Sequence, residues 1–141
     1  MSRHVVHSVA EMEALGASMG RTMAPGTVLG LSGDLGTGKT AFVRGLVRGV
    51  GSEARVHSPT FALLNEYRGG RCVVHHLDLY RLSGAADVRA AGLDEYLAHP
   101  QGIVAVEWIE RWDEPLPGLG RLHFTWVDDG TREVICDMPC A

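Results

Sequence analysis

Gly33-x-x-x-x-Gly38-Lys39-Thr40 carries the most specific chemistry in this sequence. Glycines at these positions let the backbone wrap so that its N–H groups converge on an anion. The start of a following helix adds unpaired N–H groups and the positive end of its dipole. A lysine directly after the second glycine reaches the β- and γ-phosphates of a nucleotide, and the next hydroxyl is a ligand for Mg²⁺. Gly33, Asp34, Leu35, Gly36, Thr37, Gly38, Lys39, Thr40 and Ala41 are therefore the candidate nucleotide-binding loop. Composition sharpens the signal. Of 13 Lys and Arg residues, Lys39 is the only lysine. The planar fork of arginine does not replace a compact ammonium on a flexible stem.

Two carboxylates close apolar runs, Val73-Val74-His75-His76-Leu77-Asp78 and Ile103-Val104-Ala105-Val106-Glu107. Ligands of open α/β sheets bind at strand C-termini, so Asp78 is the candidate to hold Mg²⁺ or its water shell. Leu79 follows it, so the Asp-Glu pair frequent at this point is missing. Glu107 is then the candidate to position water or to add a ligand to Mg²⁺; the alternative is a surface glutamate at a strand end. Thr60, in Ser58-Pro59-Thr60-Phe61, is either a switch threonine that closes onto Mg²⁺ or a turn residue after Pro59. Arg81 pairs with phosphate or carboxylate, or is solvated. The catalytic candidates are thus Lys39, Thr60, Asp78 and Glu107, and the metal candidates Thr40, Asp78 and Glu107.

Other residue types give weaker signals. His75 and His76 are adjacent on an extended run and point to opposite faces. No HExxH or Cys/His ligand spacing occurs, so no transition-metal site is expected. Cys72, Cys136 and Cys140 form no CxxC pair and read as reduced thiols. Trp108 stacks on a base or partner, or packs in the core.

The elements that must position these groups follow from periodicity and punctuation. Residues 4–7 form a short strand. Ser8-x-x-Glu11 is a capping box that opens a helix with Met12, Leu15, Met19 and Met23 on its apolar face, stopped by Ala24-Pro25-Gly26. The cap alone explains Ser8, which also meets the base if this helix starts beside the loop. A strand over 28–32 leads into the loop, and a helix from Lys39 to Val50 follows, with Phe42, Val43, Leu46 and Val47 inward. Strands over 61–67 and 71–77 flank Gly69-Gly70. A helical region over 83–97 breaks at Gly92, and 103–107 is a buried strand. After a Pro/Gly loop, 121–127 and 132–138 form a closing hairpin around Asp128-Asp129-Gly130. This alternation predicts an α/β fold, a P-loop sandwich with a largely parallel sheet plus antiparallel hairpin strands.

The totals bound the rest. A chain of 141 residues that is 45% hydrophobic reads as one domain, residues 1–141, with a real core. A net charge of −4 gives no basic field for bulk binding of nucleic acid. Any link to RNA runs through partner proteins or a local arginine patch. Residues 1–9 lack a signal-peptide apolar region and no run reaches membrane-spanning length, so the expected compartment is the cytoplasm, with no membrane partner.

Taken together, the loop 33–40, Ser58-Pro59-Thr60-Phe61, His76-Leu77-Asp78-Leu79-Tyr80-Arg81-Leu82 and Val106-Glu107-Trp108 resemble the bacterial TsaE (YjeE-like) family. The resemblance runs from about Ser8 to the closing hairpin. It implies a small P-loop ATPase that works with TsaB and TsaD in threonylcarbamoylation of a tRNA adenosine beside the anticodon, without being the transferase. It implies that Gly36 to Ala41 hold ATP, that Thr40 and Glu107 bind Mg²⁺, and that Asp78 supports metal and hydrolysis. Thr60 then belongs to a switch-like loop, and Ser8 to a helix start that approaches the nucleotide. His57 departs from the basic or small residue usual before Ser58. The sequence also ends at Ala141 without the extra C-terminal helical segment of some members.

Other functions compete. A small-molecule or nucleotide kinase needs an acceptor pocket and an arginine-rich lid, for which this length leaves little room. A GTPase needs Asn-Lys-x-Asp, but the only lysine is in the loop and the only asparagine is Asn65. A non-hydrolytic ATP-dependent assembly factor would need the loop alone.

Overall fold

A stretch such as Val28-Leu29-Gly30-Leu31 is buried at every position, as is expected of a strand covered on both faces. The same holds for residues 74–78 and 103–107. A computed structural model of the chain describes residues 1–59 and 62–138. Thr60, Phe61 and Cys140 lie outside the described residues.

The elements in order are β1 (Ser2–Val6), α1 (Val9–Thr22), β2 (Val28–Ser32), α2 (Lys39–Gly49), β3 (Leu64–Tyr67), β4 (Val74–Asp78), α3 (Ala85–Ala90), α4 (Asp94–Ala98), β5 (Ile103–Glu107), a 3-10 turn (Ile109–Arg111), β6 (Gly120–Asp128) and β7 (Thr131–Asp137). Among the described residues the strands form one mixed seven-stranded sheet, ordered β1-β7-β6-β2-β5-β4-β3. The four central strands β6, β2, β5 and β4 are parallel. The pairs β1–β7, β6–β7 and β3–β4 are antiparallel. This is the α/β class expected, with a parallel centre and antiparallel additions. No helix among the described residues is long and apolar enough to cross a membrane.

Helices cover both faces. On one, Phe42, Val43, Leu46 and Met12 from α2 and α1 pack on Leu29, Leu31, Val74, Ile103, Leu122 and Phe124. On the other, Val88, Leu97 and Ile109 pack on Leu77, Val104 and Val106.

Several expected boundaries move. β1 starts and ends earlier, at Ser2 and Val6, which pair with Cys136 and Arg132 of β7. β4 begins at Val74 rather than Arg71 and includes Asp78, because the guanidinium of Arg71 is drawn to the carbonyls of Gly20 and Met23 at the end of α1. The 83–97 region splits into two short helices with Gly92 at φ +78° between them.

The buried face of α1 also differs from the expected Met/Leu stripe. It is Met12, Gly16, Ala17 and Gly20, with Leu15 and Met19 only partly covered. The reason is direct backbone contact with α2. A Cβ on Gly45 would lie 1.9 Å from the Glu13 carbonyl oxygen, and one on Gly16 would lie 2.1 Å from that of Phe42. Glu13 on α1 also pairs with Arg44 and Arg48 on α2, at 3.7 and 3.3 Å.

Gly45→Ala tests this contact. Helix propensity alone favours alanine by about 1 kcal/mol, but the overlap with backbone must push the helices apart, for a net loss of about 2–3 kcal/mol. Gly130→Ala meets only Asp128 Oδ1 at 4.0 Å and is expected to stay within about 0.5 kcal/mol. Urea unfolding of both variants measures the difference.

Candidate functional site

The register of the parallel strands sets the site. Asp78 on β4 is level with Glu107 on β5, and Glu107 is level with Leu31 on β2. Register partners share a face. Val74, Ile103 and Ala105, at even spacings from the two acids, belong to the core under α1 and α2. Both carboxylates therefore stand on the α2 face at the C-terminal edge, where β2 runs into the loop.

The loop is held from within. The Thr37 hydroxyl donates to the Asp34 carbonyl at 2.6 Å. Gly38, at φ +102° directly before α2, adopts a conformation that a side chain disfavours. Lys39 opens α2 and is 4% exposed. Its ammonium donates to the Gly33 carbonyl and lies 4.4 Å from the centre of the Trp108 ring. A buried ammonium is costly without such partners.

Trp108 follows Glu107 with φ 60° and ψ 45°, a left-handed backbone that costs a non-glycine residue about 1–2 kcal/mol. Its N–H donates to the Leu31 carbonyl at 3.1 Å, and its own carbonyl accepts from Arg111 at 3.0 Å. Its ring meets that of Tyr80 at 4.9 Å, and the Arg111 guanidinium lies 5.8 Å from it.

Asp78 and Glu107 are almost completely buried. Asp78 Oδ1 accepts from the Tyr80 N–H at 2.9 Å. Glu107 Oε2 accepts from His76 Nε2 at 2.6 Å. His75 faces the other way and approaches the Gln101 carbonyl and Glu66 at 3.1 and 3.0 Å. Arg68 first, and then His75, hold the Glu66 carboxyl below its ordinary pKa. The neighbouring histidines thus serve opposite faces.

Lys39, Thr40, Asp78 and Glu107 line one cavity of about 450 Å³ with Leu35, Gly36, Gly38, Ala41, Ser58, Tyr80 and Trp108. A second hollow of about 300 Å³ shares Gly36, Gly38 and Ala41 and is walled by Ser8, Met12, Asp129, Gly130 and Arg132. The two hollows therefore meet along the loop. The Lys39 ammonium and the N–H groups at the start of α2 suit an anionic group in the first cavity. A hydroxyl and two carboxylates also suit Mg²⁺, which takes one or two carboxylates, keeps several waters and shares phosphate oxygens.

The family profile described as "Threonylcarbamoyl adenosine biosynthesis protein TsaE" matches residues 6–134. The chain belongs to the TsaE family. A protein of Nostoc sp. (strain PCC 7120 / SAG 25.82 / UTEX 2576) named "tRNA threonylcarbamoyladenosine biosynthesis protein TsaE" is 41% identical over 122 residues, 84% of this chain and 75% of that one. A protein of the same name from Treponema pallidum (strain Nichols) is 36% identical over 133 residues, 94% of this chain and 97% of that one. The match to the Bacillus subtilis (strain 168) protein of that name is 45% identical and spans 66% of this chain but only 57% of its relative. The crystal structure of Bacillus subtilis YdiB superposes with a TM-score of 0.81 at 32% identity, over 97% of this chain and 84% of that one.

In this TsaE-family chain the remaining site candidates are distributed as follows. Gly33, Asp34 and Thr37 line a third hollow, with Ser32, Trp108, His123 and Trp126. Ser8 lies in the second hollow, and Thr60 is outside the described residues. Asp129, Gly130, Arg132, Tyr80 and His76 had no role in the sequence reading of the site. The hairpin residues arrive because Val6 pairs with Arg132, which carries the β6–β7 turn to the start of α1. Arg132 Nε then donates to the Gly36 carbonyl at 3.1 Å. Nothing local in the sequence signals a contact 96 residues apart.

Ser8 has a structural duty besides its place in the hollow. Its hydroxyl oxygen accepts from the Glu11 N–H at 3.0 Å, and Glu11 reaches back to the N–H of His7. Ser8→Ala is expected to cost about 1 kcal/mol of stability, and Ser8→Asn to restore most of it. Chemical denaturation of the two variants measures the cap separately from any ligand.

Proposed function

We propose that the chain is a Mg²⁺-dependent ATPase, a single P-loop domain, that supports threonylcarbamoylation of a tRNA adenosine beside the anticodon. It works with TsaB and TsaD in the cytoplasm and meets tRNA only through that complex. The observation that carries this reading is one cavity shared by Gly36, Gly38, Lys39, Thr40, Asp78 and Glu107, together with family membership.

The residues divide the work by chemistry. Backbone N–H groups from Gly36 to Ala41 bind the phosphates, helped by the start of α2. Lys39 exchanges its contacts with Gly33 and Trp108 for β- and γ-phosphate oxygens. Thr40 and Glu107 hold the metal, while Asp78 orients its water shell and the attacking water. Mg²⁺, when bound, neutralises charge that develops between the β- and γ-phosphates. Ser8, Met12 and the Asp129–Gly130 turn receive the base and ribose side. Attack of water on the γ-phosphorus breaks its bond to the bridging oxygen and yields ADP and phosphate. No arginine is assigned to the leaving phosphate, so turnover of the isolated chain is expected to be slow and to rise when partners complete the site.

ATP hydrolysis, measured on the full chain alone and with TsaB and TsaD, tests the proposal. The expected result is a rate that rises at least tenfold with the pair and falls at least 100-fold in Lys39→Ala. A rate indifferent to the pair, or one unchanged by Lys39→Ala, would overturn it.

A further inference from the structure

His76 is fully buried on β4, on the same face as Asp78 two residues later. Its Nε2 lies 2.6 Å from Glu107 Oε2, and its Nδ1 has no hydrogen-bond partner among the described residues. The Tyr67 ring packs beside it, with the ring centres 6.2 Å apart. These contacts define the proton's place. A carboxylate only accepts, so the imidazole must donate at Nε2. A neutral ring then leaves Nδ1 as a bare lone pair, which the interior tolerates better than an orphaned N–H.

The consequence falls on Glu107. A glutamate carries three side-chain torsions, and freezing such a chain costs conformational entropy. Here one oxygen is already taken by a group that cannot move, because His76 is enclosed by the sheet core. Glu107 also lines the cavity with Thr40 and Lys39, and Oε1 is the oxygen free of the His76 contact. A ligand to a hard cation is worth most when its orientation is set before the cation arrives.

We propose that His76 is the positioning residue of Glu107: its Nε2–H fixes Oε2 behind the site and presents Oε1 to the Mg²⁺–nucleotide. The proposal rests on the reading of Glu107 as a metal ligand. A purely packing role for His76 predicts something different, since any side chain that fills its volume would then serve.

The test uses the full chain and three substitutions. Gln places an amide nitrogen near the position of Nε2, whereas Asn and Leu do not reach Glu107. Calorimetry of ATP binding across a Mg²⁺ series, with and without the metal, is read beside circular dichroism of the free protein. His76→Leu and His76→Asn are expected to raise the Mg²⁺ concentration at half-saturation by about 10–100-fold. Their metal-free ATP affinity should stay within about twofold, and His76→Gln should stay within about threefold of the parent in both. If Leu does not fold, the Asn and Gln pair decides alone. Asn and Gln weakened alike, or Asn left at the parental Mg²⁺ dependence, overturns the proposal. Glu107→Gln separates the two levels. If it loses Mg²⁺ dependence while His76→Asn keeps it, the role of His76 fails and the ATPase reading stands. If Glu107→Gln keeps it too, the metal role of Glu107 fails and takes this proposal with it.

Discussion

The parallel pairing of β4 with β5, and of β5 with β2, decides where charge can stand in this molecule. Neighbouring strands lie about 4.8 Å apart, so level residues on two strands are forced side by side. Asp78 and Glu107 are level, and both are nearly buried. Two buried carboxylates on adjacent strands each need a partner. A backbone N–H from Tyr80 serves one and the His76 imidazole the other, and the Lys39 ammonium lines the same cavity. A slip of one residue in β4 or β5 would send its acid to the opposite, apolar face among Leu77, Val104 and Val106. The register is therefore pinned by the same alternation that builds the site.

A second constraint acts on the helix side. Backbone contact between α1 and α2 draws the start of α1 to the loop at the start of α2. Ser8 and Met12 then wall the hollow beside Gly36 and Gly38. The β1–β7 pairing brings the hairpin to the same place from the far edge of the sheet. The hollow beside the start of α1 is thus assembled from both ends of the chain, and the cavity lined by Lys39, Asp78 and Glu107 from its middle.

This division explains what could be read in the sequence. β2, β5, α2 and the Ser8 cap were legible because each is a local pattern: a continuous apolar run, a 3.6-residue period, a box of two polar residues. Lys39 stood out because composition isolates it. The glycine face of α1 was not legible, because hydrophobic periodicity scores Met and Leu and is blind to backbone approach. Nor were Asp129, Arg132 and the contact between His76 and Glu107, which exist only through pairing across the sheet. The two histidines were expected on opposite faces, but only the pairing across the sheet shows which acid each one meets.

Lys39 shows how a buried charge is held inside the loop. Its ammonium is buried against one carbonyl and one aromatic face, interactions worth a few kcal/mol together in a desolvated site. These two partners keep the buried ammonium from standing as an unpaired charge. The Trp108 ring can take this part only because its backbone turns left-handed directly after β5, a conformation held by the Leu31 carbonyl and the 3-10 turn. Strain of about 1–2 kcal/mol is placed one residue from Glu107. Trp108 therefore joins the two segments: its ring meets Lys39, and its backbone directly follows Glu107, the metal candidate.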